Sequence, residues 1–174
     1  TFTAGETVTG TATAGAVSFA MTAVAEVAPN HWYDFTPYGA SATFGTLSTK
    51  LYLGAMYLGR MYVAGDPVDP YEWFASRQGN IFDWLFNDDD VQSACSGADV
   101  EMGRIQDIIR ALIPFGNDYL IFGCANKMNV LFGDPMQGGS QKVIPGAPGI
   151  FGAKSWCRDE FGNVYYYGVG GIYK

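Results

Sequence analysis

The side chains that could carry chemistry are few, and their spacing argues against most reactions. His31 is the single histidine in the chain. A Ser-His-Asp or Cys-His nucleophilic site would have to use it. It sits between Asn30 and Trp32 with no flanking motif and no second metal ligand at a useful spacing, so it reads as an incidental or core histidine. Cys95, Cys124 and Cys157 stand 29 and 33 residues apart. An odd count without a CxxC pair fits neither a disulfide framework nor a zinc knuckle, and all three read as small buried residues.

The carboxylates read as turn chemistry. Asp88-Asp89-Asp90 offers hard oxygen ligands but lacks the alternating positions and the glycine of a calcium loop, so it is expected to be a solvated loop. Asp66 and Asp134 each follow a glycine and precede a proline, where Asp commonly accepts a local backbone hydrogen bond. Glycoside hydrolysis needs two carboxylates at a set separation in space, which sequence does not supply. Gly168-Val169-Gly170-Gly171 lacks the helix that phosphate binding requires and reads as a strand turn. Trp73, Trp84 and Trp156 could stack on sugars, but beside strands they read as packing residues. No catalytic, cofactor-binding or metal residue is assigned, and no enzymatic activity or cofactor is expected.

The elements around these residues are hairpins. Three segments share one phrase, a polar turn, four strand-forming residues and a glycine: Gly59 to Gly65, Asn117 to Gly123, and Gly162 to Gly168. An apolar stretch ending in a turn precedes each. Taking Tyr62, Leu120 and Tyr165 as equivalent, the spacings are 58 and 45 residues. Periods of about 40 to 50 residues with several strands per unit mark propeller blades. Gly-Asp-Pro recurs at 65 and 133 as a second trace of repetition.

Composition agrees with strands. Hydrophobic residues make up 48% and aromatics 16%, with 23 glycines to turn the chain. Only Val100 to Ile113 shows apolar residues at helical spacing. The fold is expected to be all-β, with a Thr/Ala/Gly-rich module over residues 1–28 and a partial β-propeller over 29–174, its last unit incomplete. In the module, Thr7-Val8-Thr9 and Ala16 to Phe19 suggest strands, with Gly10 and Gly15 as turns. Met136 to Gly149, interrupted by glycines and prolines, is expected to be an exposed connection in which only Gln141 to Ile144 pairs briefly. On that reading, deleting Gly138 to Ser140 leaves the hairpins folded and weakens assembly.

Ten basic against seventeen acidic residues give a net charge of −7, which disfavours a nucleic-acid-binding surface. No apolar run reaches the roughly 18 to 20 residues that span a bilayer, and no signal peptide is visible. Thr1 at one end and a strand-like Gly171 to Lys174 at the other read as a processed or partial chain.

Several segments carry a family resemblance: Gly65-Asp66-Pro67 with Trp73 to Asn80 and Phe82-Asp83-Trp84; Ile109 to Phe115 with Asp118 to Gly123 and Val130 to Pro135; and Ser155-Trp156 with Asp159 to Tyr166 and Gly170 to Tyr173. They look like the β-propeller tail-nozzle and DNA-stabilisation (neck or tail-hub) proteins of short-tailed phages. The segment Gly5 to Gly10 with Ala14-Gly15-Ala16 similarly resembles a small β-module of phage structural proteins. The resemblance implies a virion location and a homo-oligomeric ring, commonly six-fold, that contacts other tail or portal proteins. DNA would be only channel cargo, repelled by an acidic wall. The Trp32 to Tyr38 loop is a plausible contributor to ring contacts. The alternatives are a receptor- or carbohydrate-binding propeller such as a tail-tip adhesin, and an extracellular propeller scaffold.

Overall fold

The computed structural model describes residues 7–12, 15–20, 47–48 and 50–174. The chain divides into two units, Thr1–Asn30 and His31–Lys174. His31 and the Trp32 to Tyr38 loop lie outside the described residues.

In the first unit, β1 (Thr7–Ala12) pairs antiparallel with β2 (Gly15–Ala20). Gly10 was expected to mark a turn, but it pairs with Val17 inside the ladder, and the chain reverses between Ala12 and Gly15. The Thr- and Val-rich flanks hold the strand through the glycine.

The second unit holds three antiparallel sheets. The first is β3 (Leu53–Tyr57), β4 (Arg60–Ala64), β5 (Trp73–Ala75) and β6 (Cys95–Ser96), with spatial order equal to chain order. The second repeats that meander with β7 (Ile109–Phe115), β8 (Tyr119–Cys124), β9 (Lys127–Phe132) and β10 (Ser140–Pro148). The third has β11 (Trp156–Arg158), β12 (Val164–Gly168) and β13 (Gly171–Tyr173). The fold is therefore all-β. The one helical segment among the described residues is a single 3₁₀ turn, Pro135–Gln137, and Val100 to Ile113 runs through turns into β7 despite its spacing. None of the sheets closes on itself.

The repeated sequence phrase has a direct structural meaning. Tyr62, Leu120 and Tyr165 lie on β4, β8 and β12, the second strand of each meander. The residues before them make the hairpin turns. Between β3 and β4, Leu58 and Gly59 take φ values of 47° and 74°. Two successive positive φ angles give the primed turn whose twist matches the flanking strands. Glycine accepts that geometry freely, whereas Leu58 is strained by it.

Alternation along the strands decides what each face meets. Leu53, Ala55 and Tyr57 of β3 point inward while Gly54 and Met56 point out. The inward set packs with Ile109, Leu112, Leu120, Phe122 and Leu131 of the second sheet. Aromatic rings run through this layer, Tyr57 to Tyr62 at 5.9 Å, Tyr62 to Trp73 at 5.9 Å and Trp73 to Phe122 at 6.0 Å between centroids. Each such side chain, fully buried, contributes about 1.5–3 kcal/mol. The opposite face of the second sheet, with Ala111, Ile113 and Met128, packs on Tyr166, Trp156 and Tyr173 of the third. The middle sheet is thus covered on both faces.

The segment expected to be a loose connection after Met136 is a nine-residue strand, β10. Its ladder with β9 runs from Ser140 to Val143, then shifts before pairing resumes at Pro148. Pro145 is tolerated because β10 is an edge strand and the shift falls around that residue. Of the brief pairing expected over Gln141 to Ile144, Gln141 to Val143 pair with β9 and Ile144 falls in the shift.

Candidate functional site

The least expected side chain is Arg60, at the start of β4. It is fully buried, which is rare for arginine and requires complete pairing. Its Nε donates to Asp134 Oδ2 at 2.6 Å and its Nη2 to Asp134 Oδ1 at 3.1 Å, a two-pronged charge-assisted contact. The remaining donors reach backbone carbonyls of the loop between β5 and β6: Ser76 at 3.0 Å, Val91 at 2.8 Å, Gln92 at 3.3 Å, and Ser93. One guanidinium therefore fastens the first sheet, its long loop and the second sheet together. Asp134 also accepts Met136 N at 2.9 Å, starting the 3₁₀ turn. Asp66, in the matching Gly-Asp-Pro, accepts Val68 N at 2.9 Å and a hydrogen bond from Ser48. Both aspartates make the local bond expected of them; the arginine partner of Asp134 had no sequence signal.

A second polar cluster surrounds Glu72. Its Oε1 accepts from Trp73 N at 3.3 Å and Ala98 N at 3.2 Å, while Oε2 meets Arg104 Nε in charge contact without hydrogen-bond alignment. Burial dominates and pushes the carboxyl up to about 7, against the opposing pull of Arg104. Asp99 is likewise raised by burial, while Ser96 Oγ donates to it at 2.6 Å. Gly97 fills the space between: a Cβ there would come within 2.8 Å of Glu72 Oε1 and of Trp73 Nε1. Glu72 is almost fully buried and its carboxylate is shared between Arg104 and two backbone amides, so the cluster positions a loop. Asp107 is comparably buried and satisfied: it accepts Asn126 N at 2.8 Å, Lys127 N at 3.2 Å and Asn126 Nδ2 at 3.0 Å, fixing the β8–β9 turn.

The residues singled out from sequence are dispersed. Asp90 pairs with Arg77 at 2.7 Å and accepts Gln92 N at 2.9 Å, so one member of the acidic run is a turn residue while Asp88 and Asp89 are exposed. Among the described residues no cluster of three or more His, Cys, Asp or Glu could hold a metal ion. Trp73 and Trp84 are buried and Trp156 packs against the inner core, so none of the three forms a platform for stacking sugars. Cys95 and Cys124 are buried and their thiols are pushed up to about 12 by burial. Cys157 departs from the expectation of three buried cysteines. It is exposed on β11, opposite Tyr165, because that face of the third sheet is uncovered.

A cleft of about 420 Å³ opens between the second and third sheets. Phe115, Tyr119, Tyr166 and Tyr173 are its aromatic walls, with Asn163 and Lys174 among its polar members. Phe115 and Tyr119 stack at 4.6 Å, and the Arg158 guanidinium lies 5.3 Å over the Phe115 ring while donating to the Pro114 carbonyl. Burial raises the Tyr166 phenol in this cleft, and no nucleophile–base pair accompanies it there.

The geometry describes an all-β protein of stacked antiparallel meanders whose polar groups are spent on holding loops and sheets together. Among the described residues no helix is long and apolar enough to cross a membrane. Compared with known proteins, the chain matches no family model and no curated sequence.

Proposed function

We propose that this chain is a structural, non-enzymatic component of a tailed-phage virion, a tail-nozzle or neck protein acting in a homo-oligomeric ring around the genome-ejection channel. The observation that carries the reading is the stacked repeat: two four-stranded meanders and a third sheet follow one another face to face, each with the recurrent phrase on its second strand. That is how propeller blades succeed one another, and the resembling segments fall on these strands and their turns. The net charge of −7 suits a wall that phosphates slide past.

The tail-tip adhesin alternative loses its proposed sugar platform, because Trp73 and Trp84 are buried. Direct imaging of virions carrying this chain, with antibody or gold labelling, should place it on the portal–tail axis. A capsid-surface position, or absence from particles, would overturn the proposal.

A further inference from the structure

The third sheet has two very different faces. Cross-strand pairing places Cys157 opposite Tyr165, and Tyr167 opposite Ile172, on one face. Trp156, Tyr166 and Tyr173 lie on the other and are packed against the second sheet. The first set is open: Ile172 is 76% exposed and Tyr167 53%. Phe151, also exposed, stacks on Tyr167 with centroids 5.0 Å apart, and Lys174 Nζ lies 5.8 Å over Tyr165. Single exposed apolar residues are ordinary, but a run of them joined by pairing and stacking marks a contact surface.

Charge is distributed unevenly along the stack. Residues 150–174 carry three basic side chains against two acidic ones, whereas residues 47–105 carry four basic against nine acidic. Three of those four basic groups are already engaged: Arg60 with Asp134, Arg77 with Asp90, and Arg104 with Asp69 and Glu72. Asp159, beside the open face, is turned onto its own loop through Phe161 N and Asn163 N. In the β5–β6 loop, which packs through Trp84 and Phe86 on Met61, Val63 and Phe74 of the first sheet, Asp88 and Asp89 are exposed beside exposed Val91, with exposed Met56 on the outer face of β3.

We infer that the open face of the third sheet, formed by Phe151, Tyr165, Tyr167 and Ile172 with Lys154 and Lys174, binds the acidic first-sheet end of a second copy, joining copies head to tail. The occupant follows from two features. Within the unit each sheet is covered by the next, and the first-sheet end of another copy continues that order. It also supplies the negative charge that the third-sheet end lacks. Such a contact is heterologous, so it closes into a ring or runs on as a filament. It specifies the interface of the ring proposed above, while its own support is the charge and exposure pattern.

The test is sedimentation velocity on the whole chain over a concentration series, at low and high salt. Two variants are used, Tyr167→Ser/Ile172→Thr on one surface and Asp88→Lys/Asp89→Lys on the other, each checked for native circular dichroism. Association that weakens with salt is expected, and each variant should raise the dissociation constant about tenfold or more. Mixed together, the two variants should form one-to-one dimers and nothing larger, because each retains one intact surface. Association should also shield Cys157 from a bulky maleimide, and prior labelling should block it. Association unchanged by the Tyr167/Ile172 variant overturns this interface and leaves the ring reading standing. Sensitivity there without sensitivity at Asp88 and Asp89, or no dimer on mixing, overturns the first-sheet end as the occupant. A monomer at every concentration overturns the inference, whether Cys157 reacts freely or is shielded by another part of the same polypeptide.

Discussion

Arg60→Met should be among the most damaging single substitutions in the second unit. Methionine fills much of the space but removes every donor from a site with no access to water. The Asp134 carboxylate then loses both prongs, and the loop carbonyls of Ser76, Val91, Gln92 and Ser93 each lose a guanidinium donor, while Gln92 keeps the Gln78 N–H at 2.9 Å. Breaking one side of a buried ion pair costs about 3–5 kcal/mol. For a domain of this size, about 1 kcal/mol moves the midpoint by roughly 2–4 °C, so Tm should fall by on the order of 10 °C. Buried Trp73 and Trp84 report the transition by fluorescence in urea or on heating. Arg60→Lys should recover little, since a single ammonium cannot reproduce the planar fork. In a double-mutant cycle with Asp134→Asn, the coupling should exceed about 1.5 kcal/mol. A loss of less than about 0.5 kcal/mol for Arg60→Met, the size usual for surface changes, would refute the reasoning.

Gly97→Ala should destabilise by about 1–3 kcal/mol, because its methyl meets Glu72, Trp73 and the Arg104 backbone; an unchanged urea midpoint would show that the loop yields. The Glu72 carboxyl binds its proton more tightly folded than unfolded, so its contribution is complete below its ordinary value of 4.5 and is lost as pH rises to about 7. Glu72→Gln should flatten that decline in a pH series of unfolding free energies, and a slope identical to wild type would contradict it. Asp66, Asp90 and Asp159 are held below the usual carboxylate range, chiefly by hydrogen bonds, so their smaller contributions are lost only at lower pH. Ellman's reagent should titrate Cys157 alone in the native protein and all three cysteines after denaturation. Deleting Gly138 to Ser140 should now unfold the second unit, since Gly139 N bonds Asp134 O at 2.8 Å beside the Arg60 contact; a soluble, folded deletion would contradict that.

Hairpins were the most legible part of the chain because their signal is local. The run from Tyr57 through Gly59 to Tyr62 contains both strands and the turn, and nothing distant is needed to read it. The strand at Ser140–Pro148 was under-read for the opposite reason, since glycine and proline penalties outweighed an edge position that only the assembled sheet defines. The Arg60–Asp134 pair joins residues 74 positions apart, and nothing near Arg60 distinguishes it from a solvated arginine. The asymmetry of Cys95 and Cys157 was hidden for a related reason. Both lie in strands, and the difference is whether another layer covers the face.

The meander topology also sets how this unit would bear a pulling force. A strand at the edge of a meander has one partner and can be peeled away bond by bond, whereas an interior strand must be torn from two. β13 pairs only with β12 over three residues, so tension applied there should strip it first at low force. The Arg60 clasp resists differently, because separating the first two sheets requires both prongs of the buried Arg60–Asp134 charge pair to fail together, while four further contacts hold the guanidinium to the β5–β6 loop. The unit therefore has a mechanical gradient, compliant at the third sheet and brittle at the first, and an optical-tweezers record should show small early extensions before one abrupt rupture.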